Sequence, residues 1–326
     1  KVSHAYSYGK NPPGSADPMA DFEVVSNGEA AAVAQTPNRP PLQFELAKDI
    51  RFRAESAGLV KGLLDQGTFS VFYGESNVGK SFVEFSLGWA IASKAKDWFG
   101  HKIKKHGAVV YVASEGGLAN RNRVEALKMH APAGDVPFAL VSSPINLLEK
   151  KSDTGRIVEL VKAVEAETGE PVVFIVIDTL ARAVAGGNES DSSDMGAFIR
   201  NIDEIRNATS AHVSVVHHMG KDKSRGMRGW SGIRAAIDTE IEVQRRKISV
   251  SKQRDMPTGM PVGFELKKYV LGKDEEGDEV VSCVAVPASL SASADFPALK
   301  LTGDQEALLQ CLHKVIDEAG LAEHIR

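Results

Sequence analysis

The sequence has few cysteines, no long hydrophobic run and little net charge. Its 326 residues include two cysteines, Cys283 and Cys311, in separate segments without metal-ligand spacing, so neither a disulfide framework nor a zinc site is expected. No apolar run approaches the ~20 residues that a membrane helix requires, which predicts a soluble protein without a membrane partner. The low cysteine content fits a reducing cytoplasm. With a formal net charge of −4, any contact with nucleic acid must come from a local basic patch.

Composition and breaker residues divide the chain into three parts. Hydrophobic residues make up 43% and charged residues 25%, which is the composition of a globular protein with a sizeable core. Residues 1–45 are rich in Pro, Gly, Ala and Ser and predict a linker-like extension. Because the chain starts at Lys1 as an excised domain would, we expect further sequence upstream. Residues 291–326 predict a linker and one helix of a truncated further domain, with Thr302 as a plausible N-cap.

Residues 46–290 alternate between strands and helices, which predicts an α/β domain with a central, mostly parallel sheet flanked by crossover helices. The continuous apolar run from Val172 to Ile177 is typical of a central strand buried on both faces. The predicted strands are 69–73, 108–113, 138–142, 172–177, 212–217, 238–243, 247–251 and 262–268. The predicted helices are 80–95, 120–130, 154–168 and 194–208.

One segment matches the phosphate-loop pattern G-x-x-x-x-G-K-[ST] at every specified position. It comprises Gly74, Glu75, Ser76, Asn77, Val78, Gly79, Lys80 and Ser81. A predicted strand precedes it and a predicted helix begins with it, which argues against an ordinary glycine-rich turn. In this setting backbone N–H groups surround the β-phosphate of a nucleoside triphosphate, Lys80 reaches the β- and γ-phosphates, and Ser81 binds Mg²⁺. These eight residues and Phe82, which follows them, are the candidate nucleotide-binding residues.

Two acidic residues follow other predicted strands. Asp178 ends the strand 172–177 at the carboxyl edge of the sheet, where ligands of open α/β folds bind. We expect it to support the Mg²⁺ held by Ser81; the alternative is an aspartate that caps a helix. Glu115 follows the strand 108–113 and can orient or deprotonate the water that attacks the γ-phosphate. The alternative for Glu115 is a solvated surface residue.

A pair of histidines, His217 and His218, ends the strand 212–217. Consecutive strand residues point to opposite faces, so the two imidazoles cannot easily bind one metal ion. We expect one histidine to be packed in the interior and the other to face the nucleotide. There an imidazole can hydrogen-bond the γ-phosphate and report hydrolysis to the loop that follows.

The segment after the histidines is basic and rich in glycine. Its candidate DNA-binding residues are Lys221, Lys223, Arg225, Arg228 and Trp230. The cations suit the phosphates of single-stranded nucleic acid, and the indole suits stacking on a base. The alternative is a mobile, solvated loop without a ligand.

The strand 247–251 continues to Lys252 and Arg254, which lie two residues apart and so share one face. An arginine in that arrangement can reach the γ-phosphate bound by a neighbouring subunit, where such a finger accelerates hydrolysis. The alternative is an exposed basic edge strand that protects against aggregation.

Taken together, five segments resemble RecA-like ATPases of the hexameric helicase group, most closely plasmid RepA-type replicative helicases and phage relatives. These segments are GESNVGKS, the strand ending in SEGG, VVFIVIDTLAR, VSVVHHMGK and RGMRGWSGIRAAID. The resemblance covers about residues 60 to 288. It implies that Glu115 activates water, Asp178 supports Mg²⁺ and His218 senses the γ-phosphate. It also implies that the basic loop faces DNA in the channel of a ring.

The same resemblance extends to the Lys252 and Arg254 pair and to the first residues of the chain. The Lys252 and Arg254 pair is similar to the trans-acting fingers of the wider DnaB-like group, although RepA-type proteins vary at the second position. The opening segment from His4 to Phe22 is similar to the stretch that joins primase-type domains to such ATPases in some mobile-element proteins.

The leading hypothesis is therefore an ATP- and Mg²⁺-dependent motor that forms a ring, such as a hexamer, on single-stranded DNA and replicates a phage, plasmid or integrated element. One alternative is a DNA-binding nucleotide switch or recombination mediator that does not translocate. A third interpretation, a small-molecule kinase, is disfavoured by the basic loop and the finger strand, since a kinase requires an acceptor pocket and a lid.

Overall fold

The computed structural model describes residues 44, 46–49, 58–148, 152–220, 226–254 and 256–290. By internal contacts the chain divides into two units, Lys1–Ala54 and Glu55–Arg326. The first unit contains a described turn, in which the Asp49 N–H donates to the Leu46 carbonyl at 2.8 Å. The predicted linker, apart from residue 44, and the predicted helix after Thr302 lie outside the described residues.

The second unit is an α/β domain in which strands and helices alternate, as predicted. Its strands are β1 (Gly58–Val60), β2 (Leu64–Asp65), β3 (Phe69–Gly74), β4 (Asp97–Trp98), β5 (His101–Lys102), β6 (Ala108–Ala113), β7 (Phe138–Val141), β8 (Val172–Asp178), β9 (His212–His218), β10 (Thr239–Gln244), β11 (Lys247–Gln253), β12 (Val262–Lys273) and β13 (Glu279–Ala288). Its helices are α1 (Lys80–Ala92), α2 (Leu118–His130), α3 (Thr154–Thr168), α4 (Leu180–Ala183), α5 (Ser192–Thr209) and α6 (Ile233–Ala236). Among the described helices, none has the length and apolar content needed to cross a membrane.

A nine-stranded sheet in the order β13-β12-β11-β10-β3-β9-β8-β6-β7 forms the centre of the domain. The strands from β10 to β7 are parallel to one another, whereas β11, β12 and β13 are joined by antiparallel pairing. This confirms the predicted fold class. Strands β3, β9, β8 and β6 are consecutive, so the segments that follow them meet at one edge of the sheet.

Two hydrophobic cores cover the two faces of the sheet because side chains alternate along each strand. On β6, Val109 and Tyr111 face one core, whereas Val110 and Val112 face the other. The first core includes α1, α2 and the β12–β13 hairpin. The second includes α3 and α5. Burial on both faces explains why β6 and β8 are continuous apolar runs without alternation.

The β12–β13 hairpin is the largest difference from the prediction. Strand β12 continues five residues beyond the predicted end at 268, and the sequence interpretation did not include β13. The two strands pair along almost their full length, although the outer half of β12 is exposed and charged. Pairing within the hairpin extends β12, and Tyr269 and Leu271 of its outer half pack at the margin of the first core. Helix α1 also ends early, at Ala92, because Lys94 has a positive φ of 61° that an α-helix cannot accommodate.

A chain of polar side chains runs through the interior between α1, β9 and β3. Ser70 donates to Ser214 at 3.1 Å, and Ser214 donates to Oε1 of Glu84 at 2.5 Å. At the other end, Nε2 of His212 lies 2.7 Å from the Ser70 hydroxyl. All four residues have zero exposure. Burial raises the pKa of Glu84 to about 8 and lowers the pKa of His212 to about 4, so both side chains are neutral at pH 7.

The raised pKa of Glu84 makes stability depend on pH. In the unfolded chain this carboxyl titrates near its ordinary value of 4.5, whereas in the folded protein it titrates near 8. The folded state therefore retains a proton that the unfolded state releases. The stabilisation is complete below pH 4.5 and is lost as pH rises through 8.

Replacing Glu84 with Gln should stabilise the protein at pH 8, because an amide keeps the shape of the neutral acid without an ionisable proton. We expect the free energy of unfolding of E84Q to exceed that of the wild type by up to about 4 kcal/mol at pH 8, since the pKa rises from 4.5 to about 8 on folding and one unit of pKa difference is worth about 1.4 kcal/mol. The gap should shrink toward pH 5. Urea unfolding of both proteins across this range measures it, with E159Q on the exposed side of α3 as the matched control. Equal pH slopes for E84Q and wild type would contradict a buried neutral Glu84.

Candidate nucleotide site

The phosphate loop joins β3 to α1, and its last residues lead directly into the first turn of the helix. Asn77 and Gly79 have positive φ values of 64° and 102°, which turn the chain back on itself before the helix begins. Gly79 is the N-cap of α1 and supplies no side-chain cap, and the first turn contains no acidic residue. The N–H groups of that turn and the positive end of the helix dipole are therefore available to an anion.

Lys80, the lysine of the phosphate-loop pattern, is almost completely buried at the first position of α1. Its Nζ donates to the carbonyl oxygens of Gly74 at 3.1 Å and Glu75 at 2.7 Å. Burial lowers the pKa of Lys80, and the nearby Asp178 carboxylate opposes this change. The loop thus holds the Lys80 ammonium group close to the first turn of α1, whose N–H groups are available to an anion.

Gly74, the first glycine of the pattern, lies in close contact with the neighbouring strand. A methyl group at this position would collide with the carbonyl oxygen of Val243 on β10 and would approach Val78 Cγ2 at 3.3 Å. No larger residue fits between β3 and β10 at this level without moving one of the strands.

Asp178 lies at the end of β8 with its carboxylate beneath the loop. Tyr111 on β6 donates to its Oδ2 at 2.8 Å, and the Ser81 hydroxyl is a second donor. Burial raises the pKa of Asp178, whereas the hydrogen bonds from Ser81 and Tyr111 and the charge of Arg123 oppose the rise. A serine hydroxyl and a carboxylate are oxygen ligands of the type that Mg²⁺ binds, so the residues present fit this ion.

Glu115 lies just beyond the end of β6, in a turn where Gly116 and Gly117 both have positive φ. Its main-chain carbonyl accepts a hydrogen bond from the Asn120 amide. Its carboxylate is exposed, and Oε1 accepts from Arg182 Nε at 2.8 Å. The sequence interpretation did not identify this partner, although Arg182 lies in one of the segments that carried the resemblance.

The two histidines differ in their surroundings. His217 is buried, and its Nε2 lies 2.8 Å from the Arg228 carbonyl oxygen. His218 is half-buried and faces the cavity beside the phosphate loop. Burial, followed by the charge of Lys80, lowers the pKa of His218, so its imidazole is neutral at pH 7.

A cavity of about 510 Å³ brings these groups together at the carboxyl edge of the sheet. It is lined by Ser76, Asn77, Gly79, Lys80, Ser81, Phe82, Glu115, Gly116, Arg123, Asp178, Thr179, Val216, His218 and Leu266. Sequence reasoning missed Arg123 of α2, whose guanidinium carbon lies 4.7 Å from the centre of the Phe82 ring. It also missed Leu266 of β12. Neither belongs to a recognisable motif, and only the packing of α2 and β12 over the loop brings them here.

The basic segment after β9 is described only in part, because Lys221, Lys223 and Arg225 lie outside the described residues. Arg228 is exposed and forms an ion pair with Glu189 at 2.9 Å. Trp230 is half-buried and packs against the second core, so part of its ring is unavailable for stacking. Both residues line a second cavity of about 610 Å³ together with Arg234 and Glu240.

Lys252 and Arg254 reach the same segment of their own chain. Lys252 Nζ donates to the carbonyl oxygens of Arg234 and Ile237, the latter at 2.7 Å. The Arg254 guanidinium donates to the Ala235 carbonyl at 2.9 Å and pairs with Asp238 at 2.8 Å. In this single chain both cations are therefore held by contacts near the C-terminal end of α6.

A parallel α/β sheet with a phosphate loop between its strand and helix defines the class of P-loop nucleotide-binding proteins. A family model described as an AAA domain matches residues 34–224. Because the match covers more than half of the chain, the protein belongs to this family of P-loop ATPases of the AAA/RecA-like type. No curated protein matches the chain. The family supports ATP binding and ATPase activity, whereas the narrower resemblance to RepA-type and DnaB-like helicases stays a prediction.

Replacing Tyr111 with Phe should destabilise the fold by about 1–3 kcal/mol, because it removes a buried donor from the Asp178 carboxylate while leaving the ring stacked on Phe85. Urea unfolding measures the loss. Y269F is the control, since the Tyr269 hydroxyl contacts His130 at an exposed site and should contribute less than about 1 kcal/mol. Equal losses in the two variants would show that the Tyr111 hydroxyl does not support Asp178.

Proposed function

We propose that the protein is a Mg²⁺-dependent ATPase that couples hydrolysis to binding and translocation of single-stranded DNA, as a ring-forming replicative helicase does. The observation that carries this proposal is the single cavity shared by Lys80, Ser81, Glu115, Asp178 and His218. These side chains come from four adjacent parallel strands or from the segments that directly follow them. Together they supply a phosphate-binding cation, oxygen ligands for a metal ion, a general base and a phosphate sensor.

In this proposal the loop binds the triphosphate through its N–H groups and Lys80. Lys80 exchanges its carbonyl contacts with Gly74 and Glu75 for phosphate oxygens, which carry more negative charge. Ser81 and Asp178 would hold Mg²⁺, and the bound ion would neutralise charge on the phosphates. The half-buried Arg123 adds a positive charge to the same cavity.

Glu115 acts as the base for the attacking water. Its exposed carboxylate belongs to the residue that lines the same cavity as Lys80 and Asp178. A carboxylate oxygen at this place can accept a proton from a water molecule in the cavity.

Main-chain contacts around His218 connect the nucleotide site to the basic segment. The Met219 N–H donates to the Gly74 carbonyl at 3.0 Å, and the Arg228 N–H donates to the His218 carbonyl at 3.1 Å. Met219 also pairs with Met227 in an antiparallel bridge. Residues 218–220 and 226–228 therefore close the base of the basic loop, and Met219 contacts Gly74 of the phosphate loop directly. A shift of His218 toward a γ-phosphate would move the base of this loop.

The described part of the basic segment suits single-stranded nucleic acid, which carries charged phosphates and aromatic bases. Arg228 and Arg234 supply positive charge at the second cavity, and the accessible part of Trp230 supplies an aromatic surface. Glu189 and Glu240 hold the two guanidinium groups at 2.9 Å. Phosphate groups of DNA would compete with these carboxylates for the arginines.

In a ring, Lys252 and Arg254 would contact a neighbouring subunit in addition to their contacts within their own chain. Both are held by one or more carbonyl groups, and each lies at the end of β11, where the strand leaves the sheet. In a ring these two cations act as fingers on the phosphates bound by the adjacent subunit.

Replacing Lys80 with Ala should lower ATP turnover by about 100-fold or more, because a preorganised cation next to the transferring phosphate is lost. A phosphate-release assay at saturating ATP and Mg²⁺ measures this. K94A is the matched control, since Lys94 pairs with Glu170 and has an exposed side chain, and it should retain wild-type turnover. Wild-type turnover in K80A would refute the assignment of the site.

Replacing Lys221, Lys223, Arg225 and Arg228 with Ala should remove stimulation of hydrolysis by single-stranded DNA while preserving basal turnover. It should also flatten the dependence of DNA affinity on salt, because fewer phosphate contacts release fewer ions. The matched control removes Lys61, Lys102, Lys104 and Lys105, four exposed cations elsewhere in the domain.

Measuring ATPase rate, DNA affinity and oligomer mass together separates the possible functions. Unchanged salt-sensitive affinity in the loop variant would refute DNA binding by this segment. A wild-type protein that DNA stimulates but that unwinds no duplex would favour a non-translocating switch.

A further inference from the structure

The ion pair between Glu115 and Arg182 is not among the contacts to which the proposed ATPase mechanism assigns a role. Arg182 Nε donates to Oε1 of Glu115 at 2.8 Å, and the Thr179 hydroxyl approaches the same oxygen at 3.5 Å. Both donors belong to the short segment that follows Asp178. Arg182 does not line the nucleotide cavity, so it contacts the site through Glu115.

The backbone fixes where Arg182 lies. It belongs to α4, in which Leu180 and Ala183 are fully buried, and its N–H donates to the Thr179 carbonyl at 3.1 Å. The strands before the two residues are neighbours, with Ala113 of β6 opposite Asp178 of β8. The Arg182 side chain, 61% exposed, leaves this anchored turn at the carboxyl edge of the sheet, where Glu115 also lies.

Both described contacts of the Glu115 carboxylate fall on one oxygen atom. Oε1 is engaged by Arg182 and Thr179, which leaves the lone pairs of Oε2 for a water molecule. Without these donors a glutamate side chain on a glycine-rich turn can adopt several rotamers, and few of them present an oxygen to the cavity.

We propose that Arg182 is a positioning residue for hydrolysis, whose guanidinium holds Oε1 of Glu115 so that Oε2 accepts a proton from the attacking water. In that step the water oxygen bonds to the γ-phosphorus as its proton moves to Oε2. The bond from the γ-phosphorus to the bridging oxygen breaks, and ADP leaves with the electron pair. This inference rests on the proposed ATPase function.

The test is a double-mutant cycle between Arg182 and Glu115. Because an exposed ion pair is weak, R182A should lower kcat by about 3- to 10-fold, with KM for ATP within about twofold of the wild type. R182K, which keeps the charge without the planar fork, should recover part of the loss. In an E115Q background, R182A should have no further effect, because its action passes through the carboxylate. Single-turnover assays with excess enzyme allow slow variants to be measured.

R156A is the matched control. Arg156 is also exposed and pairs with a carboxylate, that of Asp153, at 2.7 Å on α3, and its removal should leave kcat unchanged. Thermal unfolding checks that R182A is folded, and R182Q replaces it if it is not.

Three results would overturn the proposal. They are wild-type kcat in R182A, an equal loss from R182A with and without E115Q, and a change confined to KM. A wild-type protein without ATPase activity would instead refute the proposed function itself, and with it this role for Arg182.

Discussion

The register of four parallel strands is the constraint on which the nucleotide site depends. Gly74 of β3 lies opposite His218 of β9, and Asp178 of β8 lies opposite Ala113 of β6. Because Asp178 also lies opposite Val216 of β9, β6 and β8 end two residues short of β3 and β9, and the residues at or after all four strand ends line a common cavity. A slip of one residue in any pair would send its side chains to the opposite face of the sheet. The two hydrophobic cores oppose such a slip, because it would expose a full set of buried side chains.

The site combines groups that the protein buries with groups that it leaves in contact with water. Lys80 and Asp178 are both buried, and the Asp178 carboxylate opposes the lowering of the Lys80 pKa that burial causes. Glu115 and His218 are more exposed: Glu115 lies in a turn and is held by Arg182 and Asn120, whereas His218 is the last residue of β9. The rigid half of the site is therefore suited to binding, whereas the exposed half can respond to what is bound.

Much of the fold could be predicted because the central strands are buried on both faces and the helices have an apolar side. The strand 108–113 and the helix 154–168 match β6 and α3 at both ends. Asp178 was expected near the phosphate loop because its strand ends at the carboxyl edge of the sheet, where ligands of open α/β folds bind. By contrast, strand β13 and the position of Arg123 at the cavity were not predicted. The contact of Arg182 with Glu115 was also missed, although Arg182 lies in a segment that carried the resemblance. These contacts join elements far apart in sequence, so the local pattern around each residue does not reveal its partner.

The close approach of Gly74 to Val243 gives this glycine a structural reason to be present that does not depend on a ligand. The missing side chain permits β3 and β10 to pack side by side. A descendant of this protein that lost its affinity for nucleotides would still require glycine at this position to fold. The packing of the sheet is therefore sufficient to explain glycine at this position. Lys80 and Ser81, which line the cavity, are explained by binding of the ligand.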